Sequence, residues 1–177
     1  MNFRHVIYRV GQFWKALSSH PLTENDLAPA AQVLTDQQMA LFTCLQPSEQ
    51  AHGLRVLQTL QNQGENHPEL FTAALLHDIG KICHPLRIWE RVMIVLGKQL
   101  FPKWMKKWGE ADPKGWKRPF VVAAKHPLWG AELASAAGTQ ALALYLIREH
   151  QTDLELGTSL LLEEDLLSRL HGADDQN

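Results

Sequence analysis

Cysteine is nearly missing from this chain. Its two cysteines, Cys44 and Cys83, lie far apart and form no CxxC pair, so they read as free thiols of a reducing compartment. A structural zinc site built from thiolates alone is excluded by the same count. A dominant charge is missing too. The formal net charge is -2, which gives no global field for nucleic acid, and no stable nucleic-acid partner is expected. No window approaches the ~20 apolar residues of a membrane span. The opening MNFRHVIYRV has no uninterrupted apolar stretch of signal-peptide length, so a cytoplasmic location is expected. Strand signals are sparse. The best, FVVAA from Phe120 to Ala124, carries two alanines and sits inside a helical pattern. There is no internal repeat and no low-complexity linker.

What remains is helical periodicity. The 177 residues are 45% hydrophobic, enough for one domain with a proper core. VGQFWKALSSH reads as a first helix. Thr35 is placed to cap TDQQMALFTCL, and Ser48 to cap SEQAHGLRVLQTLQNQG, with Gly64 as its stop. Pro68 suits the first position of PELFTAALLHDIG, and Gly80 its end. HPLWGAELASAAG repeats that arrangement with Pro127 and Gly138. TQALALYLIREHQ and TSLLLEEDLLSRLHGADD complete an all-α, single-domain reading.

The segment from Arg87 to Arg118 has a different composition. It holds nine Lys or Arg, three acids and four of the six tryptophans. RIWERVMIVLGKQLF is an apolar helix; PKWMKKWGEADPKGWKRP is basic, aromatic and broken by Pro and Gly. Three readings stay open: an amphipathic hairpin packed on the core, a lid over an anionic substrate, or a peripheral membrane contact through Trp and Lys.

The stretch AALLHDIGKICHP raises the chemical question. An aspartate directly after an apolar run and a histidine is costly to bury unpaired. Three further histidines sit at comparable places. His52 aligns with Val56 and Leu60 on an inward helix face. His126 stands before Pro127, and His150 ends LYLIREH. Ala173-Asp174 follows LLSRLHG near the C-terminus. Taken singly, His52 reads as a core histidine, His126 as a cap, His150 as a dipole partner and Asp174 as surface. Together they are how a helical bundle builds a metal site, and imidazole with carboxylate suits Fe, Mn, Co, Ni or Zn.

His52, then His77-Asp78, then a distal aspartate resembles the HD-domain metal-dependent phosphohydrolases. HDIGK resembles the HD-IG form of the motif. KHPLWGAELA, with His126, resembles the HPxxGA segment of the dinuclear branch. IREHQ, with His150, and Ala173-Asp174 resemble the next histidine and the closing AD dipeptide. The resemblance implies a helical-bundle HD domain over 48–177 with an insertion at about 87–118, and an N-terminal helical extension over 1–47 packed on the core. It implies one or two divalent ions (Fe, Mn, Co, Ni, Zn or Mg) held by His52, His77, Asp78, His126, His150 and Asp174. Asp78 would bridge two ions, and Lys81 would face a substrate phosphate. Asp165 and Asp175 are the alternatives for the closing ligand. The implied activity is hydrolysis of a phosphorylated small molecule or nucleotide: a phosphomonoesterase, phosphodiesterase or nucleotide polyphosphate hydrolase. The GYP element of cyclic-di-GMP phosphodiesterases is missing, and a lone His150 stands where that branch has His-His-Glu. The HD-type dinucleoside polyphosphate hydrolases are a closer analogy. A metal-binding regulatory module without turnover, or a membrane-surface interaction protein, is the alternative.

Overall fold

A computed structural model describes residues 21–152 and 161–177. The expected helix VGQFWKALSSH and the start of TSLLLEEDLLSRLHGADD lie outside the described residues. Among those described, the α-helices are α1 (Glu24–Val33), α2 (Asp36–Thr43), α3 (Pro47–Asn62), α4 (Pro68–Leu76), α5 (Ile88–Leu100), α6 (Pro102–Gly109), α7 (Arg118–Ala136), α8 (Ala141–Glu149) and α9 (Leu162–Asp174). Two 3-10 turns, Ile79–Cys83 and Gly115–Lys117, punctuate them, and no strand occurs among the described residues. The fold is all-α, as expected.

Local chemistry sets the starts and stops. Thr35 caps α2 in a reciprocal box with Gln38. Thr23 does the same for α1 with Asp26, a helix the periodicity did not reveal. α3 begins at Pro47 with Gln46 as its cap, not Ser48, because Pro47 has its φ already set for a first helical residue. Ser48 instead receives Arg91 Nη1 at 3.2 Å. Gly64 and Gly138 have φ of 84° and 75° and follow α3 and α7, where only glycine adopts that backbone freely. The largest revision concerns α7. It runs from Arg118 through Pro127 to Ala136, so FVVAA is helical and His126 lies mid-helix, not at a start.

α3, α4, α8 and α9 enclose the core. Leu57, Leu60, Leu70, Leu75, Leu146 and Leu170 form one apolar cluster with Phe42 and Leu45 at the end of α2. α7 crosses one side, packed on α8 and on the 3-10 turn Ile79–Cys83. That turn approaches α7 closely. A Cβ on Gly80 would stand 2.0 Å from the His126 carbonyl oxygen and 2.6 Å from the Gly130 nitrogen. Gly80 does not have a positive φ; its role is close approach, not the sharp exit from the helix expected from sequence. α5 and α6 form a hairpin on the outside. Buried Glu90 takes Arg118 of α7, and Arg91 reaches buried Glu49 of α3 at 2.8 Å.

Candidate metal centre

Four ionisable side chains are buried where the helices converge: His77, Asp78, His126 and His150, each 6% exposed or less. His77 is the C-cap of α4, and Asp78 begins the turn packed on α7. His126 comes from the middle of α7 and His150 from the C-cap of α8. His52, one turn into α3, and Asp174, at the end of α9, close the open side and are half-buried. Five helices therefore deliver six side chains to one place.

The hydrogen bonds fix which ring nitrogens face inward. Nδ1 of His77 lies 3.0 Å from the Ala74 carbonyl, Nδ1 of His126 2.9 Å from Val122, and Nδ1 of His150 2.7 Å from Ile147. A carbonyl only accepts, so each Nδ1 donates its proton and each ring turns its Nε2 inward, where the neutral form presents a lone pair. Those lone pairs meet carboxylates and one another. His126 Nε2 is 3.2 Å from Asp78 Oδ1 and 3.2 Å from His150 Nε2. His77 Nε2 is 3.7 Å from Asp78 Oδ2. His52 is different: its Nε2–H donates to Asp174 Oδ1 at 2.7 Å.

These contacts form two triads, His52–His77–Asp174 and Asp78–His126–His150, with ligand atoms inside each within 4.8 Å of one another. Asp78 joins them: Oδ1 faces His126 and His150, and Oδ2 faces His77. Two acceptor nitrogens 3.2 Å apart with no proton between them repel, and a cation between the lone pairs removes that repulsion. Backbone carbonyls behind each ring are the usual outer partners of metal-binding imidazoles. The donor set thus fits a divalent ion.

Protonation follows from burial and neighbours. Burial pushes the His126 imidazolium below the ordinary histidine range, with Asp78 opposing it. Burial, reinforced by His77 and His126, pushes His150 further down. Both rings are therefore neutral at pH 7, the state a ligand needs. Burial alone would raise the Asp78 carboxyl, but the Lys81 ammonium 2.5 Å away leads the charges that hold it well below the usual carboxylate range. Burial opposes ionisation of Asp174 too, and His52 and His77 outweigh it.

The other candidates separate. Asp165 pairs with Arg169 on α9, with Nε 2.9 Å from Oδ2, and is outside the cluster. Asp175 lines the cavity in front of it. Lys81 Nζ sits 2.5 Å from Asp78 Oδ2 and lines the same cavity, so it touches the cluster as well as the space where a phosphate was expected. That cavity measures about 480 Å³, and His52, Asp78 and Asp174 form part of its wall. An adjoining cavity of about 200 Å³ shares Lys81 and Arg91 and reaches His126. Arg55, Arg91 and Lys98 add positive charge to the larger cavity, and the sequence reading did not single them out. The available signal was spacing: Arg55 lies three residues after His52, and Arg91 and Lys98 lie seven apart on α5.

A family model for the HD domain matches residues 50–171. The matched span holds five of the six clustered residues; Asp174 lies three residues beyond it and is brought in by the geometry of α9. No curated protein and no solved structure matches the chain.

Proposed function

We propose, because this chain belongs to the HD-domain family, that it is a metal-dependent phosphohydrolase of the dinuclear, HDIG type acting on a phosphate ester or nucleotide. The observation that carries this reading is the inward convergence of three buried Nε2 lone pairs on a carboxylate already ionised by its surroundings. His52, His77 and Asp174 would hold one ion and His126 and His150 the other, with Asp78 shared between them. Divalent ions bound there supply Lewis acidity, lowering the pKa of a water and offsetting charge on phosphoryl oxygens.

The chain's own groups do the rest. The three carbonyl-anchored imidazoles hold their orientation without rearrangement. Lys81 lies between Asp78 and the cavity, so its ammonium can turn from the carboxylate to a phosphoryl oxygen once the carboxylate is otherwise engaged. Arg55 makes no ion pair or side-chain hydrogen bond among the described residues and lines the same wall, which suits an anionic substrate. Its guanidinium is partly desolvated, so an anion there finds a weakly hydrated partner.

The test is hydrolysis of a panel of phosphate esters and nucleotides by purified protein resupplied with Mn, Fe, Co, Ni, Zn or Mg after chelation, with metal content measured on the same samples. Metal-dependent release of phosphate or nucleotide product supports the enzyme. Stoichiometric metal with no turnover across the panel supports the regulatory module. Lys81→Ala separates phosphate contact from ligand support: kcat/KM should fall roughly 10²–10³-fold, as for loss of a charge-stabilising donor, while metal content is retained.

A further inference from the structure

The hairpin of α5 and α6 puts large apolar side chains in water. Seven of the ten exposed large apolar residues among those described lie between Ile88 and Trp116, including Trp89, Leu96, Leu100, Phe101 and Trp104. Singly exposed leucines need no explanation, but a concentration of them does.

Helical spacing shows that the exposure is organised. At 100° per residue, Trp89, Val92, Leu96 and Leu100 fall in one stripe of α5. Arg91, Ile94, Val95 and Lys98 fall on the opposite side and line the cavity. Between them, Gly97 rests against Phe120 and Met105, and Glu90 takes Arg118. α5 is therefore fixed on its inner side and carries its apolar stripe outward. α6 and the following turn extend it with aromatics: Trp108 contacts Phe101, Trp104 and Trp116 at centroid distances of 6.0, 6.2 and 5.3 Å.

Positive charge surrounds these rings. Lys103, Lys106, Lys107, Lys114 and Lys117 form no ion pair among the described residues. Lys107 and Lys117 lie over Trp104 and Trp116 at 5.5 and 5.6 Å. The acids nearby are Glu90, already engaged, and the exposed Glu110 and Asp112.

This chemistry discriminates between occupants. Protein interfaces are depleted in lysine, and a two-fold contact of this face with a second copy would set the same lysines against one another. A single-stranded nucleic acid would use the rings but leave Leu96 and Leu100 wet. An anionic bilayer takes the aromatics and leucines into its interface and the lysines against its phosphates. No described helix is long and apolar enough to cross a membrane, so the hairpin would lie in the surface plane.

We propose that the α5–α6 hairpin is a docking surface for an anionic lipid bilayer. Because the cavity side of α5 faces away from the apolar stripe, docking leaves the cavity open to a soluble substrate.

The experiment is co-sedimentation of the full chain with vesicles of phosphatidylcholine alone or mixed with phosphatidylglycerol, over a salt series. Binding to the mixed vesicles only, weakening as salt rises, is the expected result. Lys106→Glu with Lys107→Glu should weaken it roughly tenfold or more, and Trp104→Ala should weaken it as well. Melting temperature and metal content should stay at the parent values in the lysine variant. No binding to either vesicle, equal binding to both, or undiminished binding by the lysine variant would overturn the proposal. So would burial of the hairpin in a lipid-free dimer seen by sedimentation velocity, or binding to an oligonucleotide in place of vesicles.

Discussion

The candidate metal centre and the α5–α6 hairpin break the ordinary rule of burial in opposite directions. The centre takes histidines and a carboxylate out of water, with Asp78 at 6% and His126 at 1% exposure. The hairpin leaves Trp104 at 52% and Leu100 at 57% exposure. Neither arrangement is favourable by itself. Burying ionisable groups costs several kcal/mol each unless they are paired, and exposed apolar side chains forgo about 25 cal/mol per Å². Each region makes physical sense with a partner of the right chemistry: a cation for the inward nitrogens, and an apolar, anionic surface for the stripe. The difference is how fully each is prepared. Three of the centre's four rings already have their outer hydrogen bonds, whereas the hairpin's lysines have no acidic partners among the described residues.

The largest effect should come from the residue that joins the two triads. Asp78→Ala removes the oxygen facing His126 and His150 and the one facing His77. Turnover should fall to background, and bound metal should drop well below that of His150→Ala. Elemental analysis of both variants beside the parent decides it; parental metal in Asp78→Ala would remove the bridge from the centre. Gly80→Ala should be next. Its methyl would meet backbone, not a movable side chain, at 2.0 Å, so the turn and α7 must separate. The expected loss is about 3 kcal/mol, the upper end for overpacking, with reduced metal affinity because His126 moves with α7. Denaturant unfolding and a metal titration measure the two. A variant with parental stability would show that this packing is looser than its distances.

How much of this was legible in the sequence divides along the same line. The clustered histidines were visible because HDIGK, KHP and REH place histidines at helix positions next to apolar runs. Capping chemistry placed Thr35 and Pro68, since both act within a few residues. Readings that depended on distant packing failed. Gly80 looked like a helix terminator because its partner, the His126 carbonyl, is 46 residues away. Pro127 looked like a helix start because a proline inside a helix is usually unfavourable. Here the helix continues, and His126 Nδ1 donates to the carbonyl of Val122, one turn before the histidine. The hairpin was legible as amphipathic, but periodicity does not say which stripe meets the core. Only the placement of Gly97 against Phe120 and of Arg91 against Glu49 turns the tryptophan stripe outward.

Between neutral pH and the carboxylate range, acid should act mainly through the centre's histidines. His126 and His150 have pKa values depressed below 6.5 in the folded protein. Below pH 6.5 the unfolded chain binds protons that the folded chain refuses, so stability must fall as pH falls. The slope is about 1.4 kcal/mol per pH unit for each ring, and it ends when the folded-state pKa is reached. The carboxyls of Asp78 and Asp174 are depressed from 3.8. Their contribution is complete above that pH and is lost only below it. Melting temperatures of metal-free protein should be level above about pH 7, decline as pH falls below 6.5, and decline further once it passes below 3.8. A melting temperature that rose between pH 7 and 5 would mean that Asp78 holds the rings protonated, and the neutral-ligand assignment would fail.

The smallest expected effect tests the hairpin's side of the comparison. Leu96 and Leu60 are both leucines in α-helices, the first 42% exposed on α5 and the second 0% exposed on α3. Truncating Leu60 to alanine opens a cavity in a closed core and should cost about 2–5 kcal/mol. Truncating Leu96 removes atoms that water already reaches, so the change should stay within about 0.5 kcal/mol. Alanine favours the helix at least as well as leucine, so propensity adds no loss that would be mistaken for burial. Both are read from denaturant midpoints at one protein concentration, then repeated at a tenfold lower one. A cost near that of Leu60 would show that the stripe is covered in solution. If that cost shrank on dilution, the cover would be a second copy of the chain. If it did not, the hairpin would fold its stripe inward, and the two regions would obey the same rule after all.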